Sequence, residues 1–280
     1  MSTQATPALC SQIRRDIVRM VHGASSGHPG GSLGCVELLA KLYFDTMNID
    51  PSNFNMDGKG EDLFFLSNGH ISPVWYSVLS RRGFFPTEEL ATFRKINSRV
   101  QGHPATEEGL PGIRVASGSL GQGLSVAIGA AETKRLNGED TWVYTLHGDG
   151  ELQEGQIWEA AMYAAHNKVD NILSFVDCNG QQIDGPCDEV LSLSDLSGKF
   201  KAFGWHVMEC DGHNLDNIQR VIDEAHSRRG SGVPCIVLMV TAMGKGVDFM
   251  EGTHKWHGVA PNDDQLADAL SQLEETLGDY

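Results

Sequence analysis

The chain has 280 residues, 40% of them hydrophobic and 21% charged, with a formal net charge of −16. A chain of this length can bury a full core without disulfides or structural metal, and its acidity repels nucleic acid and anionic membranes, so neither is expected as a partner. A phosphorylated ligand stays compatible with that charge, because a bound divalent cation reverses the local field.

Helix and strand patterns alternate along the chain. Thr6 and Pro7 read as an N-cap and first helical residue, followed by Leu9, Ile13, Ile17, Met20 and Val21 at helical spacing. A second helix is predicted over Cys35 to Met47. DLFFLS reads as a short buried strand that ends in the loop NGH, and helices are expected to begin near Pro73 and Thr87. The Gly-, Pro- and Ser-rich stretch from Gln101 to Gly123 reads as loop. Beyond it, WVYTL is a strand, GQIWEAAMYAAHNK a helix and NILSFVD a strand. An acidic loop leads to a helix near Asp195 to Phe203, the strand WHVMEC, a helix from Leu215 to Arg228, the strand PCIVLMV and a last helix from about Asp263 to Leu277. Strands separated by helices imply one α/β domain over residues 1–280, a parallel sheet covered by helices on both faces.

The six cysteines, at 10, 35, 178, 187, 210 and 235, form no CxxC pair and are expected to be buried or semi-buried free thiols in a reducing compartment. The N-terminal segment carries charges where a signal peptide needs an apolar run. Apolar runs such as Cys235 to Val240 fall far short of a membrane span. A soluble, cytoplasmic protein is expected.

The chemistry centres on HGDG at 147–150, directly after one strand, and DCNG at 177–180, directly after the next. Asp149 and Asn179 lie about 30 positions apart, the length of one βαβ unit. Both loops then emerge at the carboxyl edge of neighbouring parallel strands, where open α/β sheets bind ligands. One anionic and one neutral oxygen donor meet there, beside glycines that let a phosphate approach the backbone. Such oxygens suit Mg2+, which completes its shell with phosphate and water. The helix after Gly150 is expected to aim its N-terminal amides at the same phosphates. A lone GDG is an ordinary turn in a chain with 32 glycines; the strand context, the placed Asn and the intervening helix make it a site.

The segment GDGELQEGQIWEAAMYAAHNKVDNILSFVDCNG resembles the thiamine-diphosphate motif, GDG followed after one βαβ unit by N. The resemblance implies a thiamine-diphosphate-binding domain of the type that holds the diphosphate (PP-type). It implies Asp149, Asn179 and the backbone carbonyl of Gln181 as Mg2+ ligands, with Ca2+ or Mn2+ as substitutes, and places Gly150 against the diphosphate. Four histidines sit in short Gly/Pro-bounded loops: SGHPGGSLG at His28, SNGHISP at His70, QGHPA at His103 and HKWHG at His257. These loops are similar to those of the transketolase family in order and spacing. That resemblance implies His28, His103 and His257 facing substrate oxygens, His70 and His257 near the cofactor, and Gly118, Ser119 and Leu120 of SGSLGQGLSVAIG as cofactor contacts. The chemistry agrees, since ketol transfer needs a base near a sugar hydroxyl and donors at a developing alkoxide.

Glu154, in ELQEG, matches a family glutamate at the dimer interface; its plain alternative is a helix N-terminal acid that complements the dipole. His22, His147, His166, His206, His213 and His226 are read as structural, and His254 as a loop residue.

The resemblance covers essentially the whole chain, but only the first domain of a standard transketolase. The family's pyrimidine-binding domain supplies the glutamate that protonates the aminopyrimidine and most of the grip on the sugar phosphate. With LEETLGDY read as a completed C-terminus, the expectation is a split enzyme, plausibly α2β2, acting on sugar phosphates. Its partner is then a C-terminal transketolase subunit that carries the pyrimidine-binding domain. TAMGKGVDFMEG departs from the full-length pattern toward split or synthase-like relatives. Three alternatives stand beside this reading: a 1-deoxyxylulose-5-phosphate-synthase-like enzyme, the α subunit of a 2-oxo-acid dehydrogenase, and a non-catalytic cofactor-binding regulatory paralogue.

Overall fold

The computed structural model describes residues 4–280. Five parallel strands form the central sheet: β1 (Leu63–Leu66), β2 (Val143–Gly148), β3 (Ile172–Cys178), β6 (His206–Asp211) and β7 (Cys235–Val240), in spatial order β1-β2-β3-β7-β6. A two-stranded antiparallel hairpin, β4 (Gln181–Gln182) with β5 (Gly185–Pro186), follows β3. The helices are α1 (Pro7–Gly23), α2 (Pro29–Gly34), α3 (Val36–Lys41), α4 (Ser72–Arg82), α5 (Gly123–Leu136), α6 (Gly155–His166), α7 (Cys187–Leu191), α8 (Leu196–Ala202), α9 (Leu215–Ser227) and α10 (Asp263–Gln272).

Side chains alternate across the strands, and both faces are apolar, as a parallel sheet buried on both sides requires. Phe64 and Leu66, Tyr144 and Leu146, Leu173 and Phe175, and Val237 and Met239 join one core with residues of α1, α3, α4 and α9. Phe65, Val143, Ile172, Val176, Ile236 and Leu238 join a second core with α5, α6 and α8. Each fully buried side chain of this size contributes roughly 1.5–3 kcal/mol. Strand register sets the site: Gly148 pairs with Asp177 across β2 and β3, so the HGDG and DCNG loops leave the sheet side by side.

Local signals hold where capping chemistry supports them. The Thr6 side chain accepts from Leu9 N at 3.2 Å, fixing the start of α1. Asp195 caps α8 through Gly198 N, and Asn262 forms a capping box with Gln265 on α10. The last helix stops at Gln272, short of the expected Leu277, because α1 takes up the tail's backbone: Gln12 Oε1 accepts from the amides of Thr276 and Leu277, each at 3.0 Å.

Three further expectations change. The helix expected over 35–47 is interrupted at Cys35 and resumes as α3, then loosens into a π-helical turn, Leu42–Thr46. The segment after Pro86 is a 3-10 turn, Thr87–Thr92, in which the Thr92 hydroxyl donates back to Glu89 O. A short 3-10 turn, Gly150–Gln153, follows the HGDG loop, and α6 begins only at Gly155. Helix α5 goes beyond the patterned elements, since its glycines dilute the helical signal. Gly123 is there for closeness: a Cβ would come within 2.5 Å of Ser67 Cβ.

Candidate functional site

A cavity of about 210 Å3 opens at the carboxyl edge of β2 and β3. Of the residues singled out in the sequence, it is lined by His28, His70, Gly118, Leu120, Asp149, Gly150, Asn179, Gln181 and His257. His103, Ser119 and Glu154 are not on its wall. His103 backs the cavity: its ring centroid lies 6.4 Å from that of His28, and a Cβ on Gly118 would meet its Cδ2 at 2.9 Å. Ser119 and Glu154 are exposed.

The acidic edge is tightly organised. Asp149 Oδ1 accepts from Gly150 N at 2.7 Å and Oδ2 from Gly180 N at 2.6 Å, which joins the two loops. Asn179 Nδ2 donates to Asp177 Oδ2 at 2.7 Å, while its Oδ1 accepts from Gln181 N at 2.8 Å. Asp177 also accepts from the Thr241 hydroxyl. Burial and the neighbouring Asp177 push the Asp149 carboxyl up to about 6. Among the described residues no group of three or more His, Cys, Asp or Glu side chains could hold a metal ion.

Opposite stand the histidines, brought from four distant loops. The His28 ring centroid lies 5.1 Å from that of His70 and 5.6 Å from that of His257, and His70 lies 5.0 Å from His257. Glycines make this approach possible. A Cβ on Gly30 would sit 2.6 Å from Met243 Cγ and 2.8 Å from Trp256 O, so the SGHPGG turn closes onto the loop that carries His257. Gly244 N donates to Gly30 O at 2.8 Å across the same contact. Burial, then the facing His257, lower His28 to about 4. Burial also lowers His70, His103 and His257. All four rings are therefore neutral near pH 7, and each offers one N–H donor and one acceptor. The Nδ1 atoms of His28 and His257 are buried without a protein partner.

Several lining residues escaped sequence reasoning: Asn68, Glu151, Asp177, Gln182, Ile183 and Met243. Asn68 and Asp177 sit inside motifs already singled out. Glu151 lies in the same motif, directly after HGDG, but nothing in its spacing marks it apart from the acidic residues around it. Of the histidines read as structural, His22 meets Asp263, His206 meets Glu224, and His226 meets Tyr144, each at 2.8 Å, while His166 is exposed at the end of α6. His147 is buried behind the site against Thr145. The cysteines are free thiols, Cys178 and Cys187 half-buried and the rest buried.

A family model described as "Transketolase, thiamine diphosphate binding domain" matches residues 6–277. The chain belongs to the transketolase family. This transketolase-family chain is 39% identical over 263 residues to the 6-deoxy-6-sulfo-D-fructose transketolase subunit SqwG of Clostridium sp. (strain MSTE9), with 94% of each chain covered. It is 37% identical to one of the apulose-4-phosphate transketolase subunits of Phocaeicola vulgatus, over 94% of this chain and 92% of that protein. The solved transketolase from Leishmania mexicana superposes with a TM-score of 0.88 at 28% identity, over 97% of this chain but 42% of the other. The chain thus spans less than half the length of that solved transketolase, yet nearly the whole of the two named subunits. Among its described residues, no helix is long and apolar enough to cross a membrane.

Proposed function

We propose that this chain is the cofactor-binding subunit of a split transketolase. In this reading all 280 residues form one domain that holds thiamine diphosphate through Mg2+. With a second subunit it moves a two-carbon ketol unit from a ketose phosphate to an aldose phosphate. The observation that carries the proposal is the convergence of His28, His70 and His257 on the same cavity as Asp149, Asn179 and Gln181.

The residues present fit the cofactor and its metal. Asp149, the Asn179 side-chain oxygen and the Gln181 carbonyl form an all-oxygen donor set of the kind Mg2+ prefers. A divalent cation relieves the mutual repulsion of the buried Asp149 and Asp177. Gly150 would offer a wall without a side chain for the diphosphate, and His70, His257, Gly118 and Leu120 line the same cavity as further cofactor contacts. Ser119, exposed on the same loop as Gly118 and Leu120, we assign with its neighbours as a cofactor contact. When bound, thiamine diphosphate supplies the electron sink for breaking and forming the carbon–carbon bond.

The chain's own histidines serve the sugar. His28 and His257, partly buried, and His103, exposed at the cavity's edge, can each accept a hydroxyl proton at one neutral nitrogen and donate to a developing alkoxide from the other. Glu154 we assign to the subunit interface: it is exposed, makes no side-chain cap bond at the start of α6, and lies against Gly121 of the cofactor loop. The two similar subunits are named for different sugars, a sulfo-deoxyfructose and apulose 4-phosphate. That difference suits an α2β2 assembly in which the partner holds most of the sugar-phosphate grip.

The test is a coupled ketol-transfer assay with xylulose 5-phosphate and ribose 5-phosphate, Mg2+ and thiamine diphosphate. The chain is run alone and then with the protein encoded beside it. Activity only in the mixture is expected. Strong activity from the chain by itself would overturn the split assignment, and a chain that takes up no cofactor in either setting would overturn the site.

A further inference from the structure

Glu151 is the buried acid nearest the cofactor cavity that the mechanism above leaves without a role. Only 3% of its surface is exposed, and its carboxylate collects donors from three separate segments. Oε1 accepts the Ser67 hydroxyl, at the end of β1, and Gly121 N at 2.8 Å, from the SGSLGQG loop. Oε2 accepts Gly148 N at 3.1 Å, from the HGDG loop. The Ser67 hydroxyl in turn accepts from Gly123 N at 3.1 Å, which ties in the first residue of α5. Loop 118–123 therefore hangs on one side chain. Its near end is sterically gated as well, because a Cβ on Gly69 would lie 2.7 Å from Gly118 N.

We infer that Glu151 is the positioning residue that sets the approach of loop 118–123 to the cofactor cavity, and through it the affinity of the site. The inference rests on the cofactor reading above. Glu151 shares the cavity wall with the proposed metal donors but directs its carboxylate to Gly121, Gly148 and Ser67, with the buried His147 Nδ1 3.7 Å from Oε1. The Gly121 and Gly148 donors are backbone amides, whose positions are fixed by the loops that carry them, so the acceptor that holds them also holds the loops. A carboxylate can accept from several donors at once, whereas a carboxamide in the same space turns an N–H toward one of them.

The experiment uses the full chain, wild type beside Glu151→Gln and Ser67→Ala, with two readouts. The first is amide hydrogen exchange without cofactor. E151Q is expected to raise exchange in peptides covering 118–123 and 147–150 and to leave α1, α4 and β7 at the wild-type rate. The second is titration with thiamine diphosphate and Mg2+, where E151Q should weaken binding about 10- to 100-fold, the range typical of a group that orients a binding shell. It should still reach the wild-type stoichiometry at high cofactor, which a partly unfolded sample would not do. S67A keeps the carboxylate but removes one of its donors together with the acceptor for Gly123 N. It should therefore raise exchange in 118–123 while leaving 147–150, held by the Gly148 bond, nearer the wild-type rate, and it carries the test if E151Q does not fold. Wild-type exchange at 118–123 in both variants, or a rise spread evenly over the chain, would overturn the inference. If the wild-type chain itself takes up no cofactor, the site reading falls, while the exchange comparison still decides whether Glu151 holds the loop.

Discussion

The rings of His28 and His257 meet edge to face, at 90° and with centroids 5.6 Å apart, although one follows the first helix and the other lies near the end of the chain. A charge on either ring would be repelled by the other and poorly hydrated, and burial with that repulsion holds His28 at about 4 against an ordinary 6.5. The folded pKa is thus depressed while the unfolded chain titrates near 6.5. The neutral ring contributes stability that is present above pH 6.5 and lost as pH falls from there toward 4. Denaturant titrations at pH 7 and pH 5 should show the wild type losing more stability than His28→Asn. Equal losses would mean that the cluster is not held neutral by the fold.

Asp149 joins two loops through the amides of Gly150 and Gly180 and is the one carboxylate among the proposed metal donors. Asp149→Ala should reduce affinity for thiamine diphosphate and Mg2+ by more than about 100-fold, beyond the range typical of an outer partner. Calorimetric titration checks this, together with chelation of the wild type by EDTA, which should abolish cofactor binding to the same degree. Binding that survives chelation would remove the metal from the proposal.

Two glycines should respond in opposite directions to alanine. At Gly69 the added Cβ runs into Ser117 and lies 2.7 Å from Gly118 N, and backbone that close cannot yield without moving the cofactor loop. Gly69→Ala should cost about 1–3 kcal/mol and weaken cofactor binding. Gly129, within α5, has nothing within 4 Å of its Cβ position, so Gly129→Ala should stabilise the chain by roughly 0.5–1 kcal/mol. Thermal melts of both variants, read side by side, test the packing argument.

Helices α1 and α4 are locked by a buried pair. Asp16, fully buried, accepts two hydrogen bonds from Arg81, at 2.7 and 2.8 Å, and one from Ser77 at 2.7 Å. Asp16→Ala leaves the Arg81 charge without its carboxylate and should cost about 3–5 kcal/mol. A double-mutant cycle with Arg81→Ala should return a smaller total loss than the sum of the single variants. Additive losses would show that the pair does not act as a unit.

Much of this molecule was legible in the order of its residues. Four strands of the parallel sheet follow from short apolar runs such as DLFFLS and PCIVLMV, because burial on both faces demands them, while the edge strand β6 alternates buried and exposed residues. Asp149 and Asn179 follow from motifs placed directly after strands, since parallel pairing brings successive carboxyl ends together. The histidine loops were visible as four separate motifs. Their convergence needed the fold, because it depends on glycines such as Gly30 that let one loop close on another across most of the chain. The helix boundary at Gln272 was settled by a distant side chain, Gln12, competing for backbone hydrogen bonds, which local propensity does not contain. Glu151 is the clearest case: in sequence it is one acidic residue among 37, and only the fold surrounds it with Ser67, Gly121 and Gly148. Sequence determined the sheet and the chemical types at its edge, through periodicity and spacing; tertiary structure decided which of them meet, because contact is set by packing between segments and not by separation along the chain.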